Sequence, residues 1–330
     1  MTRRATALSR RPSRAAQEGI ALVLTLWLTI LLTVLASGFA FSMRSEAIAA
    51  RNAISATQAR TAADGAVERA VYELSRPRVP DAWMPDGQPH RWTDGGIALT
   101  VAAVDETSKI DLNSANDALL KSLVMRAGEL DDAAASRIVD AILDWRDADD
   151  LKRPNGAEES DYRAANLKYG PANAPFESVG ELARVLGVTP ELYARVAPAL
   201  TVFSRQPGIN PLTASRDVLL ALPAATAETV DAYVQTRTDA LDAHTSVPFF
   251  PPAQGFGVGA VAVWRIHAEA VLPDGVTFVR EAVLRPAADV RRPLIALAWQ
   301  DGARATYAPV TAAATTVAPS LLTPAKKNAR

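Results

Sequence analysis

Carboxylate side chains gather in one short segment of this sequence, and their type suits them to binding a cation. They stand at the C-terminal end of a predicted helix and again after a turn at Asn155-Gly156. Carboxylate oxygens in a flexible loop suit Ca²⁺, which takes about 6 to 8 oxygen ligands. The candidate metal ligands are Asp144, Asp147, Asp149, Asp150, Glu158 and Asp161.

The position of these acids favours a compensating cation but does not identify it. The C-terminal end of a helix carries partial negative charge, so each carboxylate there is unfavourable by a few tenths to about 1 kcal/mol. The spacing is not that of an EF-hand, because Leu151 stands at the third acidic position and Lys152 at the glycine position. A solvated acidic face balanced by Arg146, Lys152 and Arg153 fits the same residues. The residues alone leave both interpretations open.

Residues that usually carry catalysis are sparse. The histidines are His90, His244 and His267, cysteine is absent, and neither a nucleophile-elbow pattern nor a phosphate-binding loop occurs. Asp144 and Asp147 have the residue type of a catalytic carboxylate pair, but carboxylates at a helix end are more often structural. The sequence therefore predicts that the protein is not an enzyme.

The composition indicates a helix-rich protein without a polyanionic partner. Apolar residues make up 49% of the 330 residues and aromatic residues 6%, so alanine and short aliphatic side chains dominate. The net charge is −1, and the segment from Lys109 to Arg237 carries 14 basic against 19 acidic residues. Nucleic-acid binding draws on a basic face. We therefore expect no nucleic-acid partner.

An apolar segment near the N-terminus predicts a membrane anchor. The 22 residues from Ile20 to Phe41 include no charged residue and no proline, and as a helix they span about 33 Å, enough to cross a bilayer. Five arginines and one glutamate precede them, which predicts a cytoplasmic N-terminus and an exported C-terminal bulk. A cleaved signal peptide would have a shorter apolar region, although Ala36-Ser37-Gly38 could imitate its cleavage site. The anchor residues singled out are Ile20, Leu24, Trp27 and Phe41.

The remaining elements predict an α+β protein. The helix is expected to continue to Leu74, with an apolar stripe at Ala59, Ala63, Ala66, Val67, Ala70, Val71 and Leu74. Apolar and polar residues alternate as in strands at 97–104, 261–272, 276–285 and 294–299. The first strand is separated from the others by a helical region, so we expect one antiparallel sheet interrupted by an inserted domain.

The predicted insertion contains a faint internal repeat. The segment from Lys109 to Ala115 is echoed by Gly208 to Ala214, and each leads into a short helix with paired leucines, Leu119-Leu120 and Leu219-Leu220. These asparagine-bearing segments resemble helix-hairpin-helix elements, which would suit a membrane-tethered DNA receptor, but the acidic balance argues against that role. Further helices are predicted at 131–146, 178–186, 190–197 and 226–237.

Taken in order along the chain, several motifs resemble the K-type minor pseudopilins of the type II secretion system. The residues that carry the resemblance are Gln17-Glu18-Gly19 with Ile20 to Leu24, Lys109 to Ala115, Ile142 to Asp149, Arg153 to Glu158, Tyr169-Gly170-Pro171 with Pro175 to Ser178, and Pro207 to Asn210. No motif is specific alone, but their order and spacing are. The resemblance covers nearly the whole chain except its tail.

The resemblance implies processing at the N-terminus. A prepilin peptidase would cleave after Gly19, and the new N-terminal residue, Ile20, would then be methylated. Most pilin-like proteins have glutamate at the fifth mature position, whereas this chain has Leu24. An ionised carboxylate inside a bilayer costs at least about 2.5 kcal/mol and needs a partner. Leucine therefore fits a subunit at the tip of the fibre, with no neighbour above it, although leucine alone would fit any anchor helix.

The resemblance also implies a fold, a function and partners. The fold is a long N-terminal helix packed on an antiparallel sheet, with an inserted all-α domain that is helix-hairpin-helix-like. The function is to cap the periplasmic pseudopilus and help initiate its assembly for export of folded proteins across the outer membrane. The implied partners are the I- and J-type minor pseudopilins, the major pseudopilin, prepilin peptidase and the inner membrane. Structural Ca²⁺ binding by the acidic segment is implied as well.

The stem helix and the domain divisions carry two more expectations. Small pseudopilins are expected to contact the stripe at Ala63, Val67, Ala70 and Leu74, because it is wider than one sheet face should cover. The predicted divisions are a leader at 1–19, a transmembrane and stem helix at 20–75, a head at 76–108 and 251–301, an inserted domain at 109–250 and a disordered tail at 302–330.

Overall fold

The computed structural model describes residues 14–76, 82–243, 245–250, 262–287, 289, 291 and 293–304. His244, most of the predicted leader, the segment at 251–261 and the predicted tail from residue 305 lie outside the described residues. The chain divides into two units, residues 1–58 and residues 59–330.

The elements are numbered along the chain. The helices are α1 (Arg14–Ser75), α2 (Asp117–Arg126), α3 (Asp132–Arg146), α4 (Glu159–Ala164), α5 (Pro190–Val196), α6 (Arg216–Leu220) and α7 (Ala227–Asp242). The strands are β1 (Asp86–Asp94), β2 (Ile97–Asp105), β3 (Ile110–Asp111), β4 (Leu200–Thr201), β5 (Trp264–Val271), β6 (Thr277–Pro286) and β7 (Leu294–Asp301). Short 3₁₀ helices lie at Glu106–Ser108, Val179–Arg184 and Ala197–Ala199.

The first unit, as far as it is described, is the N-terminal part of α1. Among the described residues, α1 is the one helix that is long and apolar enough to cross a membrane. The side chains of Leu24, Trp27 and Phe41 are 69%, 67% and 76% exposed. The hydroxyl of Thr29 donates to the carbonyl of Thr25 at 2.6 Å, so a polar group on this apolar segment has a partner within the helix.

In the second unit, α1 packs its apolar stripe on the sheet. Ala63, Val67 and Ala70 are completely buried among side chains of the sheet, and Leu74 packs partly against the same cluster. Short side chains at three- and four-residue steps let the helix lie close to the strands. The expectation that small pseudopilins contact this stripe is therefore wrong, because the head's own sheet covers it.

The sheet has five antiparallel strands in the order β1-β2-β5-β6-β7. Strand β2 pairs with β5 from Ala98↔Val271 to Asp105↔Trp264, although the whole insertion separates the two strands along the chain. This pairing confirms the predicted sheet interrupted by an inserted domain. The predicted strands at 97–104, 261–272, 276–285 and 294–299 correspond to β2, β5, β6 and β7.

Strand β1 was not predicted from the sequence. It contains Gly87 and Pro89, both disfavoured in strands, and its side chains do not alternate between apolar and polar. It lies at the edge of the sheet, where proline is tolerated, and joins β2 through a turn at Gly95 and Gly96. Both glycines have positive φ, 55° and 85°, which a glycine adopts without steric cost.

The insertion has a hydrophobic core of its own, with Ile110, Leu112, Leu120, Ile142 and Trp145 almost fully buried. The predicted helices at 131–146, 190–197 and 226–237 are α3, α5 and α7, whereas the one at 178–186 is a 3₁₀ helix. Helix α4 and the parallel pair β3–β4 were not predicted.

The repeat copies lead into α2 and α6 as predicted, but their leucine pairs are not equivalent. Asn116 caps α2 and Ser215 caps α6, which sets the offset between the copies. By that offset the buried pair Leu119-Leu120 corresponds to Val218-Leu219 rather than to the predicted Leu219-Leu220.

A buried carboxylate fastens the insertion to the sheet. Glu106 is completely buried and accepts hydrogen bonds from Arg265 of β5, at 2.8 Å, and from Lys109, at 2.8 Å. Its other oxygen accepts from the hydroxyl of Thr201 in β4. Burial alone would raise the pKa of Glu106, but Lys109 and Arg265 hold that pKa below its usual value.

Candidate functional site

The predicted metal ligands lie on α3, on the loop after it and at the start of α4. Helix α3 brings Asp144 into the interior, where its side chain is completely buried. Asp147 caps the C-terminal end of α3, and Glu158 stands just before α4 with 6% of its surface exposed. Two carboxylates from separate segments are therefore withdrawn from water in the same loop region.

Asp144 organises this loop. Its Oδ2 accepts hydrogen bonds from the backbone N–H of Ala157 at 2.9 Å and of Arg153 at 3.3 Å. A Cβ atom at Gly156 would collide with the same carboxylate, so the turn requires glycine there. Asp140 holds the turn from outside, accepting from the backbone and side-chain N–H groups of Asn155 at 3.0 Å each.

Asp161 has other partners. Its Oδ1 accepts from Lys152 Nζ at 2.6 Å, and its Oδ2 accepts from the backbone N–H of Glu158 at 3.0 Å. The hydrogen bond from Lys152 lowers the pKa of Asp161. Asp161 thus caps the first turn of α4, a role common for acids at this position.

Four oxygen atoms in this region are buried without a hydrogen-bond partner among the described residues. They are both carboxylate oxygens of Glu158, Oδ1 of Asp147 and Oδ1 of Asn173. A buried carboxylate without a partner loses hydration that nothing replaces. All four atoms are the hard oxygen donors that Ca²⁺ prefers.

Asn173 was not predicted from the sequence. It lies 23 residues beyond Asp150, and its Nδ2 donates to Asp150 Oδ1 at 2.8 Å, which places it beside the acidic loop. Its positive φ of 47°, a conformation that asparagine tolerates better than most residues, gives the local reason for an asparagine. Nothing in its spacing from the acids marks it as a ligand.

The segment that carries Asn173 is held by contacts between residues far apart in the sequence. Asn113, from the first repeat copy, donates to the carbonyl of Phe176 at 2.9 Å and accepts from its N–H at 2.7 Å. Phe176 stacks on Trp145 of α3, with ring centroids 6.0 Å apart. These contacts fix the Asn173 segment beside α3.

The carboxylates raise one another's pKa. Burial first, and then the charges of Asp144, Asp147, Asp150 and Asp149, raise the pKa of Glu158 to about 7. Burial and the neighbouring Asp149 raise the pKa of Asp147, against the opposing effect of Arg153. The cluster is therefore short of positive charge.

The oxygen donors of this loop suit a hard cation. In the structure, however, their side chains do not converge on a common position for an ion. In the described part of the chain, no three acidic or histidine side chains converge as a metal site. Arg153 instead reaches Asp144 and Asp147. Asp147, Asp149, Asp150, Glu158 and Asn173 are the residues that would hold Ca²⁺, with Asp144 shaping the loop and Asp161 outside the set.

The predicted processing and anchor residues are all in α1. Gly19 and Ile20 lie in its first turns, and Leu24, Trp27 and Phe41 lie further along the same helix. They belong to the first unit of the chain, whereas the acidic loop belongs to the second.

Comparison with known proteins gives consistent matches. Residues 100–205 match the family model described as type II secretion system (T2SS), protein K. Type II secretion system protein K of Klebsiella pneumoniae is 28% identical over 284 residues, covering 77% of this chain and 86% of that protein. The same protein of Pectobacterium carotovorum is 37% identical over 98 residues, covering 29% of this chain and 30% of that protein.

A solved structure has the same fold. The crystal structure of the GspK-GspI-GspJ complex from the enterotoxigenic Escherichia coli type 2 secretion system contains a chain that matches with a TM-score of 0.51 and 17% identity. The match covers 79% of this chain and 99% of that chain.

The long helix packed on an antiparallel sheet, interrupted by a helical domain, defines an α+β protein of the pilin-like class. Within that class, the matched segment from β2 to β4 includes the acidic loop. The recognition made from the sequence is confirmed by these matches: residues 100–205 carry the type II secretion system protein K domain, and most of the chain is similar to protein K of Klebsiella pneumoniae.

Proposed function

We propose that this chain caps the tip of a periplasmic pseudopilus and helps initiate its assembly for export of folded proteins, without catalysis of its own. The observation that carries the proposal is the construction of α1, which has an exposed apolar segment and, from residue 59, a face buried under the sheet. That is the form of a membrane-anchored fibre subunit. Leu24 supports the terminal position, since it offers no carboxylate to a neighbour's N-terminal amine.

The anchor is proposed to sit in the inner membrane, with the N-terminus in the cytoplasm and the second unit in the periplasm. The arginine-rich start of the sequence supports this orientation. Prepilin peptidase is proposed to cleave after Gly19, leaving Ile20 as the methylated N-terminus.

The proposed partners are the I- and J-type minor pseudopilins and then the major pseudopilin. The family match and the complex from which the similar structure comes support this choice. Because the sheet covers the inner stripe of α1, the proposed contact is the outer face of α1, where Tyr72 is 65% exposed. Apart from the adjoining residues and backbone of α1 itself, no described atom lies within 4 Å of the position a Cβ would take at Gly65, so a partner helix can approach there.

The acidic loop is proposed to bind structural Ca²⁺ through Asp147, Asp149, Asp150, Glu158 and Asn173. The buried, unpartnered oxygens of Glu158 and Asp147 support this assignment. Such an ion would supply the missing positive charge and hold the loop against the Asn173 segment.

Labelling of pseudopili tests the proposed position. An epitope at an exposed site of the insertion, such as Glu191 in α5, should be detected by immunogold electron microscopy at one end of each fibre. The same epitope on the major pseudopilin serves as the control and should mark the whole length. If gold particles that recognise the insertion epitope were found along the sides of the fibres, the tip position would be contradicted.

A further inference from the structure

Arg153 stands between two carboxylates of the acidic loop and, we infer, acts as an internal counterion that a bound divalent cation displaces. The inference rests on the proposed calcium site and concerns how that site is regulated. Arg153 would hold the loop together without the metal, and its release would accompany metal binding.

The contacts of Arg153 are longer than those of the other ion pairs nearby. Its Nε lies 3.3 Å from Asp144 Oδ1, and its Nη2 lies 3.5 Å from Asp147 Oδ2. By contrast, Lys152 approaches Asp161 to 2.6 Å. Charged hydrogen bonds usually measure about 2.7–2.9 Å. Arg153 is also 42% exposed, so water can hydrate its guanidinium group when the contacts break. The buried Asp144 would then keep the backbone N–H donors of Arg153 and Ala157.

The neighbouring cations are already engaged. Lys152 bonds to Asp161, which lies outside the proposed ligand set. Arg146 donates to the backbone carbonyls of Leu112 and Ala115 and influences Asp147 only through space. Among the described residues, Arg153 is therefore the cation that directly contacts the cluster around Glu158.

A divalent ion and the guanidinium would compete for the same charge. Both are attracted to Asp147, and they repel each other. The backbone N–H of Arg153 bonds independently to Asp144, at 3.3 and 3.4 Å from its two oxygens. The loop can therefore keep its path while the side chain turns into solvent, which frees Asp147 to join Glu158 around the ion.

Calorimetric titration of the full chain in detergent with CaCl₂ tests the competition. Arg153→Gln should bind Ca²⁺ about fivefold more tightly than the unchanged chain, as expected when a half-exposed competing ion pair is removed. Arg163→Gln is the matched control, because Arg163 pairs with Glu159 on the exposed surface of α4, outside the cluster. The Arg163→Gln variant should bind Ca²⁺ as tightly as the unchanged chain does.

Chemical labelling separates displacement from simple repulsion. Phenylglyoxal, an arginine-selective reagent, should modify Arg153 of the unchanged chain faster in Ca²⁺ than in chelator, as read by peptide mass spectrometry. The rate at Arg163 should not change. Arg153→Lys keeps the charge and should restore weak binding, which guards against a folding defect in the glutamine variant.

The outcomes distinguish the two proposals. If the unchanged chain binds Ca²⁺ but Arg153→Gln binds no more tightly, or if labelling of Arg153 does not rise with Ca²⁺, the role of Arg153 is overturned while the calcium site stands. If neither the unchanged chain nor Arg153→Gln binds Ca²⁺, the calcium site itself is overturned, and the inference with it.

Discussion

Arg146 and Arg237 make the same contact in the two copies of the internal repeat. Arg146 donates to the carbonyl of Ala115 at 2.9 Å and to the carbonyl three residues before it. Arg237 donates to the carbonyl of Ala214 at 2.7 Å and, also at 2.7 Å, to the carbonyl three residues before that one. Each arginine comes from the long second helix of its copy, so the repeat is one of three-dimensional structure as well as of sequence.

The first prediction concerns Arg237. Arg237→Met should keep the aliphatic packing but leave two carbonyl groups without their donor, and each buried orphan costs about 1–3 kcal/mol. We therefore expect the free energy of unfolding to fall by about 2–4 kcal/mol, as measured by urea denaturation of the full chain in detergent. Arg216→Gln, which removes an exposed pair with Asp231, is the control and should cause no measurable change. Equal stability of both variants would contradict the structural role of Arg237.

The two copies carry different residues around the anchoring arginine, and this difference shows how much a single sequence reveals. In the first copy Asp144 and Asp147 flank Arg146, whereas Gln235 and Thr238 hold the equivalent places around Arg237. The acids were recognised because their type and density are unusual. Asn173 was not, because it reaches them only through the folded contact between Asn113 and Phe176.

The fold was predictable where one face of an element is apolar. Strands β2, β5 and β6 alternate because one side packs against α1, and their pattern is visible in the sequence. Strand β1 packs Trp92 on this cluster but carries mostly polar residues, so its existence depends on pairing with β2. The apolar stripe also predicted that Ala63 and Val67 pack against the head, but its width was misjudged, because the sheet covers both residues completely.

The second prediction concerns Ca²⁺ and the thermal stability of the chain. The melting midpoint should be higher in millimolar Ca²⁺ than in chelator, by an amount that grows as RT ln(1 + [Ca²⁺]/Kd) if the unfolded chain does not bind. Replacing Asp147, Asp149 and Glu158 by alanine should abolish this difference. Asp161→Asn should lower both midpoints but preserve the difference, because Asp161 caps α4 rather than facing the ion. An unchanged midpoint in Ca²⁺, or a difference that survives the triple replacement, would rule out the site.

The third prediction is that Glu158→Gln changes the melting midpoint in opposite directions in chelator and in Ca²⁺. In chelator at about pH 8, which lies above the raised pKa of about 7 for Glu158, the carboxylate is charged, buried and unpartnered. Its replacement by a neutral amide should therefore raise the melting midpoint. In saturating Ca²⁺ the same variant should melt below the unchanged chain, because a ligand charge is lost.

A pH series checks the origin of this reversal. A carboxyl group with a raised pKa in the folded state favours folding most below its unfolded pKa, and that contribution is lost as the pH rises through about 7. In chelator at about pH 5, Glu158→Gln should therefore raise the melting midpoint only slightly above that of the unchanged chain. If Glu158→Gln raised the melting midpoint as much at about pH 5 as at about pH 8, the explanation by charge would be contradicted.

The fourth prediction concerns processing at the start of α1. Co-expression with prepilin peptidase should give a membrane-bound product that begins at Ile20, as read by intact-mass spectrometry. Gly19→Leu should leave the uncleaved precursor in the membrane. The reason is that a bulky side chain would then stand directly before the cleaved bond, where glycine has none. A mature N-terminus beyond Ser37 would instead establish cleavage as a signal peptide.

The fifth prediction separates the two faces of α1. Ala63 is completely buried against the sheet, so Ala63→Glu would place a charge without a partner in the core and should prevent the head from folding. Tyr72 is 65% exposed on the same helix, so Tyr72→Glu should leave the melting midpoint of the chain unchanged. If the outer face packs on a partner helix, Tyr72→Glu should abolish co-purification with the I- and J-type pseudopilins although the variant remains folded.

Tyr72→Phe provides the matched control for the outer face. It keeps the aromatic ring that a partner would cover and removes only the hydroxyl group, so co-purification should continue at the level of the unchanged chain. Because Tyr72→Glu and Tyr72→Phe differ in charge at one exposed position, a loss confined to the glutamate variant would locate the partner on this face. Normal co-purification of a folded Tyr72→Glu variant would show that the partner binds elsewhere on the chain.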